Sequence, residues 1–278
     1  MSSILTNTSA MNALATLRGV NKGLEDTQNR ISTGKKINSA KDNAAYFSIS
    51  ESMNSDSGMY KSINEGLTLT KNSVSTARLG AESVKDLAQQ FVERVSFAQG
   101  DAVDHDAVQK ELDGIVAQIG TTIDQATFNG DTLVKAATAH SVVTGISRNS
   151  TGSFGTTSMT FKSVDLTAIK SALGAIDISD ATGSPSALAN AITTAQTQLS
   201  TAIDNATSLG VAEKSLESQQ DFLGKLTDKL DTGVGNMVDA DMEKEAARLQ
   251  SYQVQQQLAT QSLSIANQGP QNLLSLFR

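Results

Sequence analysis

The residues most suggestive of chemistry are the glycine and two lysines of Thr33-Gly34-Lys35-Lys36. A phosphate-binding loop has the pattern GxxxxGK(S/T), in which backbone N–H groups surround the phosphates and the final hydroxyl contacts Mg²⁺. Here Asn29 stands at the first glycine position, and Lys36 stands where the hydroxyl is required. The segment before the motif has helical periodicity, whereas a phosphate loop follows a buried strand. The pattern therefore argues against nucleotide binding.

A joint between two helices explains the same residues better. Gly34 is predicted to end the first helix as a C-cap, and Ser39 with Asp42 has the S-x-x-D spacing of a helix start. We expect residues 33–43 to connect an N-terminal arm to a long helix. The residues assigned to this connecting segment are Gly34, Lys35, Asn38 and Asp42.

No other group of side chains has the composition of a reactive site. The chain contains no cysteine, which excludes a disulfide, a thiolate nucleophile and a cysteine zinc site. Its two histidines, His105 and His140, lack a matching serine or carboxylate arrangement. Asp104 and Asp106 flank His105, but adjacent helical positions point to different sides, and carboxylates at a helix start account for them. The sequence therefore predicts no catalytic residue, no cofactor and no metal site.

The charge and hydropathy of the chain exclude further classes of partner. The net charge of -7 disfavours binding to nucleic acid or to an anionic membrane surface. No apolar run approaches the 18 residues or so of a membrane span. The first residues lack a basic n-region and a continuous apolar run, so we expect no cleavable secretory signal.

Helical periodicity dominates the rest of the chain. Apolar positions in residues 4–32 recur at alternating spacings of three and four, a coiled-coil seam formed by Ala10, Ala13, Leu17, Val20, Leu24, Thr27 and Ile31. The same register resumes at Ile49 and predicts one helix from about 44 to 99, roughly 80 Å long at 1.5 Å per residue. A second helix, from Val108 to Ala126, is predicted to fold back along it.

The middle of the chain lacks the helical period and has short β-type runs instead. Asn129-Gly130 is a turn signal, and the runs SVVTGI and SMTFKSV predict short hairpin strands within residues 131–184. Helical register returns from Leu188 to Val234. We expect Gly233-Val-Gly235 to break that helix and a last helix to follow, ending at Gly269-Pro270.

The last helix has two apolar stripes, which predicts burial on more than one side. One stripe contains Met242, Leu249, Tyr252, Ala259, Leu263 and Ala266, and the other contains Val254, Leu258 and Ile265.

The predicted fold is mainly α: an elongated antiparallel bundle of long helices with paired N- and C-terminal coiled-coil arms and a small β-containing variable insert. Residues 1–43 with 236–278 form the arms and connecting segment, 44–130 with 185–235 form the bundle, and 131–184 form the insert. The first arm has about four large aliphatic side chains in some 30 residues, too few to offset its backbone entropy. We therefore expect the arms to order only against each other and against neighbouring copies, as in a polymer subunit.

Both ends of the chain resemble bacterial flagellins. RISTGKKINSAKDNAAYFSIS is similar to the N-terminal flagellin signature, and ATFNG at 126–130 is similar to the segment that closes the first flagellin hairpin. The C-terminal stretch from GNMVDADMEKEAARLQ to ANQGPQNLLSLFR resembles the flagellin C-terminus. These similarities cover roughly 1–130 and 185–278.

The resemblance implies a non-enzymatic subunit that polymerises into the flagellar filament for swimming motility, with arms that pair as an inner tube and order on assembly. It implies other flagellin copies, an export chaperone, the filament cap and hook-filament junction proteins as partners. It also implies export through the flagellar type III channel to an extracellular filament. The implied polymerisation interface comprises Leu17, Val20, Leu24, Ile31, Leu249, Leu263 and Leu276.

Two alternative functions remain open from the sequence: a hook-filament junction subunit, and a coiled-coil surface adhesin acting through the middle region. The hydroxyl-rich run in that region also supplies candidate sites for O-linked sugars, namely Ser150, Thr151, Ser153, Thr156, Thr157 and Ser158.

Overall fold

The computed structural model describes residues 6–100, 103–148, 154–179 and 185–276. In chain order the elements are α1 (Thr8–Thr33), α2 (Ala44–Phe97), α3 (His105–Gln125), β1 (Ala139–Arg148), β2 (Phe154–Lys162), α4 (Leu166–Gly174), α5 (Pro185–Val238) and α6 (Met242–Leu276). The mainly helical prediction with a small β insert is confirmed. The chain separates into two compact units, Met1–Ser57 with Asp228–Arg278, and Gly58–Thr227.

The first unit is built on the pairing of α1 with α6. The two helices run antiparallel, because Arg30 contacts Glu245, Asn21 contacts Gln256 and Asn7 contacts Ala266. The predicted seam of α1 is its more buried side, with Val20 and Thr27 both below a tenth exposed. The alternating spacing of three and four therefore identifies the contacting face of this arm correctly.

The second unit contains the main core. Fully buried side chains from its helices meet in one apolar cluster that includes Leu67, Phe91, Leu112, Leu209 and Leu216. Its portions of α2 and α5 run antiparallel, and α3 folds back along α2. The predicted turn at Asn129-Gly130 is also present. Both residues have positive φ, 52° and 82°, the geometry that favours Asn-Gly at a tight turn.

The insert is an antiparallel hairpin held against the helices. A bulge interrupts its register between Val143 and Gly145, so the carbonyl of Thr144 is available to accept a hydrogen bond from Gln219 Nε2 at 2.8 Å. The Tyr60 hydroxyl donates to the carbonyl of Ile146 at 3.2 Å. Helix side chains thus hold the hairpin by its backbone.

One helix in this region was not predicted. The segment assigned to the β-containing insert also forms α4, which is capped by Asp165 and buries Leu166, Ile169 and Leu173. Nine residues are too few to show a helical period, so the sequence pattern could not distinguish α4 from a buried strand.

The predicted breaks in the C-terminal helices are wrong. Helix α5 continues through Gly233 and Gly235 to Val238, and α6 continues through Gly269-Pro270 to Leu276. A β-carbon at Gly233 would lie 2.9 Å from Met53 Cε, so this glycine permits close packing within the first unit. The actual break lies at 239–241, where the Asp241 side chain accepts from the Lys244 N–H and begins α6.

The predicted start of the long helix at about 44 agrees with the structure, but the predicted cap formed by Ser39 and Asp42 is wrong. Helix α2 begins at Ala44, and the Asn43 side chain accepts from the N–H groups of Ala45 and Tyr46. Asp42 instead closes the preceding turn. Asn43 is the better cap because its carbonyl oxygen reaches the first free N–H groups of the helix.

Candidate assembly surface of the paired arms

The seam between α1 and α6 accounts for six of the seven residues predicted as a polymerisation interface. These residues lie in the register of the intramolecular seam, where Val20 is buried and the others are half-buried: Leu17, Leu24, Ile31, Leu249 and Leu263. Leu276 is the last residue of α6, and its side chain lies outside the described part of the chain. The apolar face expected to meet neighbouring copies is thus largely occupied by the other arm of the same chain.

Close approach of the two arms depends on a glycine. Tyr252 lies against α1 at Gly23, where a β-carbon would stand 2.6 Å from Tyr252 Cζ and 2.9 Å from its hydroxyl oxygen. Gly19, one helical turn earlier, would meet nothing within 4 Å. The tyrosine ring therefore occupies the space that any larger residue at Gly23 would need. Periodicity alone did not single out this glycine.

A buried carboxylate lies at one end of the seam. Glu245 is only 5% exposed, and its Oε1 accepts from Arg248 Nη1 at 3.0 Å and from Arg30 Nη1 at 3.4 Å. Its Oε2 is buried with no hydrogen-bond partner among the residues described. A polar group at a seam position costs stability but specifies which register and partner the helix accepts.

The outward face of the arm pair carries large apolar side chains that the seam leaves uncovered. The second predicted stripe of α6 is on this surface: Val254, Leu258 and Ile265 are 55%, 56% and 69% exposed. On α1, Met11 and Leu14 are also exposed, on a different side of the helix from Thr16, which lies beside Leu258. A groove of about 330 Å³ runs between the helices beside Leu258, lined by Ala13, Thr16, Val20, Gln255, Leu258, Ala259 and Ser262.

Backbone pairing ties the connecting segment to the chain between α5 and α6. Gly34 ends α1 with a left-handed φ of 70°, as its sequence context predicts. Its carbonyl accepts from the Ala240 N–H at 2.8 Å, and the Lys36 N–H donates to the carbonyl of Val238 at 2.7 Å. The Lys36 ammonium donates to the carbonyl of Asn236. Since α1 directly precedes this segment, it lacks the strand-loop-helix context of a phosphate loop.

The turn before α2 is organised by Asp42. Its Oδ2 accepts from the N–H groups of Asn38 and Ser39 at 3.0 Å and from the Ser39 hydroxyl at 3.1 Å. These hydrogen bonds, that from Asn38 foremost, hold the pKa of the Asp42 carboxyl below its ordinary value. The remaining connecting residue, Lys35, forms an isolated bridge with Asp239.

The histidines have structural contacts. His105 Nε2 lies 3.0 Å from the carbonyl of Ala98 at the turn between α2 and α3. His140 stacks on Phe161 and hydrogen-bonds Thr138 Oγ1. Among the described residues, no three or more His, Cys, Asp or Glu side chains are placed together to hold a metal. Over the same residues, no helix has the length and hydropathy of a membrane span.

The candidate sugar sites divide into two groups. Thr156, Thr157 and Ser158 are exposed on β2. Ser150, Thr151 and Ser153 lie outside the described residues. O-linked modification at these positions stays a prediction.

Two family descriptions match the ends of the chain: "Bacterial flagellin N-terminal helical region" over residues 4–139, and "Bacterial flagellin C-terminal helical region" over residues 189–277. Full-length relatives include a flagellin of Brucella melitensis, 38% identical over 281 residues with all of both chains covered. Flagellin C of Rhizobium meliloti is 33% identical, again with all of both chains covered. Flagellin FljM of Caulobacter vibrioides is 34% identical, with all of this chain and 99% of the relative covered.

Among solved structures, a putative flagellar hook-associated protein from Vibrio parahaemolyticus aligns with a TM-score of 0.44 at 12% identity. The alignment covers 71% of this chain and all of that chain.

Proposed function

Because this chain belongs to the bacterial flagellin family, whose members are structural subunits of the flagellar filament, we propose that its copies join through the outward apolar face of the paired arms. The observation that carries this proposal is the exposure of Val254, Leu258 and Ile265 on a helix whose other stripe is already used. Monomeric proteins rarely leave several large apolar side chains on one stripe of a helix in water unless another molecule covers them.

The seam and the outward face then have separate roles in assembly. Leu17, Val20, Leu24, Ile31, Leu249 and Leu263 hold the two arms together as one unit. The outward stripe of α6, formed by Val254, Leu258 and Ile265, contacts neighbouring copies. On this division, a seam substitution weakens the filament indirectly by separating the arms, whereas an outward substitution removes a contact between subunits.

The arms order as the filament grows. In the first unit, the buried apolar residues in the described part of the chain are four aliphatic ones, Val20, Ile37, Val238 and Ala259. The second unit buries many large side chains, Phe91 among them. Burial of little apolar area gives little compensation for the entropy of ordering long helices, so contacts with neighbouring copies complete the stability of the arms.

The family also supports finer proposals about export and partners. We assign the protein to the extracellular filament, reached through the flagellar type III channel without signal cleavage, and we regard it as non-enzymatic. The export chaperone, the filament cap and the hook-filament junction proteins are its proposed further partners. Neither the arms nor the full-length relatives favour the junction-subunit or adhesin alternatives.

Growth of filaments from purified protein on short seeds tests the assembly role. The variant Leu258→Ala removes one outward side chain, and Gln257→Ala makes a matched change at the adjacent exposed polar position of α6. Burial of a leucine contributes about 1.5–3 kcal/mol, so we expect Leu258→Ala to raise the critical concentration by roughly tenfold or more. Gln257→Ala should stay close to wild type.

Two results would contradict the proposal. If purified wild-type protein fails to extend seeds into long filaments, the chain is not a filament subunit of the proposed kind. If Leu258→Ala assembles as readily as Gln257→Ala, the outward face of α6 does not join the copies.

A further inference from the structure

Asn7 makes two hydrogen bonds that link the ends of the two arms. Its Oδ1 accepts from the Ala10 N–H at 3.0 Å and so caps the start of α1. Its Nδ2 donates to the backbone carbonyl of Ala266 in α6 at 2.8 Å. One amide side chain thus supplies an acceptor to its own helix and a donor to the opposite one.

The carbonyl of Ala266 is available because of a proline. In an α-helix each carbonyl accepts from the N–H four residues later, and four residues after Ala266 stands Pro270, which has no N–H. Helix α6 nevertheless continues to Leu276. Pro270 is the one proline within α6, so Ala266 is the one carbonyl that loses its helical partner before the last turn. A buried or half-buried carbonyl left without a donor is costly, and Asn7 satisfies it.

We propose that Asn7 and Pro270 form a matched pair that sets the register in which α1 and α6 pair. The inference rests on the proposed function, because the arms are expected to be fully ordered in the filament. Here Pro270 acts by exposing an acceptor at one place along α6, and Asn7 acts as the donor that recognises it. Asn7 is therefore a positioning residue for assembly.

Because the apolar seam repeats, its register must be set by other contacts, and Asn7 with Pro270 acts beside the fit of Tyr252 at Gly23 and the ion pair of Arg30 with Glu245. A slip of seven residues exchanges Leu17 for Leu24 and leaves apolar side chains facing apolar side chains, so burial alone discriminates weakly between registers. After a seven-residue slip toward the start of α6, Asn7 would face the carbonyl of Ala259, whose helical N–H donor, that of Leu263, is present, so the amide would have no free acceptor. The contact of Arg30 with Glu245 marks the other end of the seam, roughly 35 Å away along α1.

The first test is a double-mutant cycle measured as the critical concentration for extension of seeds. Asn7→Asp keeps an oxygen that can cap α1 but removes the donor to Ala266. Pro270→Ala restores an N–H that can satisfy the same carbonyl from within α6. We expect Asn7→Asp to raise the critical concentration roughly five- to tenfold in the wild-type background and less than about twofold in the Pro270→Ala background. Asn12→Asp, at an exposed position of α1, controls for the added charge.

The second test reads the register itself. Since the chain has no cysteine of its own, a subunit that carries both Lys22→Cys and Gln250→Cys takes nitroxide labels at these two positions and nowhere else. Both positions are exposed on the paired arms. Electron paramagnetic resonance is then recorded on filaments in which labelled subunits are diluted with unlabelled ones. A single distance is expected with Asn7 and Pro270 present. A second distance, displaced along the helices by about 10 Å for a seven-residue slip, is expected in Asn7→Asp and in the double variant.

The outcomes separate this inference from the proposed function. If wild-type protein extends seeds but Asn7→Asp matches it in critical concentration and label distance, the register role is overturned. The register role is also overturned if Asn7→Asp raises the critical concentration by the same factor with Pro270 and with Pro270→Ala, because Asn7 would then not act through the Ala266 carbonyl. Failure of the wild-type protein to extend seeds would instead contradict the filament role.

Discussion

Replacement of Gly23 by alanine would test how closely α1 and α6 pack. The added β-carbon would stand 2.6 Å from Tyr252 Cζ, well inside van der Waals contact, so the ring or the helix must move. Gly19→Ala is a matched control, because it lies on the same helix and its β-carbon meets no atom within 4 Å.

The size of the effect follows from two opposing terms. Both substitutions gain about 1 kcal/mol of helix propensity, since alanine replaces glycine within α1. Gly23→Ala alone adds an overpacking penalty of about 1–3 kcal/mol. The difference between the two variants should therefore be about 1–3 kcal/mol, or about a 5- to 150-fold higher critical concentration for Gly23→Ala than for Gly19→Ala.

The assay is sedimentation of filaments grown on seeds over a series of subunit concentrations. Both glycine variants are also measured in a Tyr252→Leu background. The shorter leucine side chain leaves room for the added β-carbon, so the two critical concentrations should then lie closer together. If Gly23→Ala assembles at or below the critical concentration of Gly19→Ala, the close contact of Tyr252 with α1 is not what stabilises the arms.

Two further predictions concern the core and the joint. Phe91→Ala empties a fully buried site and should destabilise the second unit by about 3–5 kcal/mol, which lowers its melting temperature by roughly 6–20 °C. Phe97→Ala changes an exposed side chain of the same helix and should alter the melting temperature little. Equal shifts of the two melting temperatures, measured by circular dichroism, would contradict the assigned core. The lowered pKa of Asp42 means that its stabilising effect is complete above the ordinary aspartate pKa and is lost as the pH falls through the folded value. The difference in filament melting temperature between wild type and Asp42→Asn should therefore shrink as the solution is acidified, and a difference independent of pH would refute this role.

The sequence predicted the arms and long helices well because their signals are local and repeated. Each apolar residue of α1 at spacing three or four adds to the same periodic pattern, and Gly34 and Asn129-Gly130 have strong conformational preferences of their own. Helix α4 escaped prediction because nine residues contain too few turns to show a period. The breaks expected at Gly233 and Pro270 were wrong because glycine and proline only lower the stability of a helix and do not by themselves end it. Tertiary contacts at Met53 and Asn7 offset that cost.

At the candidate assembly surface too, the sequence predicted some features and missed others. Periodicity identified both stripes of α6, including Val254, Leu258 and Ile265, and predicted that more than one side would be covered. It could not tell which stripe meets α1, nor that Tyr252 lies against Gly23, because these facts depend on residues more than 200 positions apart in the chain.

By itself, the sequence determined that this protein has two amphipathic arms and long helices, with a connecting segment after the first arm, since the spacing of apolar residues dictates which face of a helix avoids water. Only the tertiary structure decided that Leu17 and Leu249 lie in a seam within one chain, while Leu258 stays at the surface. The physical reason is that the hydrophobic effect is not directional: it requires a face to be buried, whereas the shape and hydrogen bonds of the surrounding residues select what buries it.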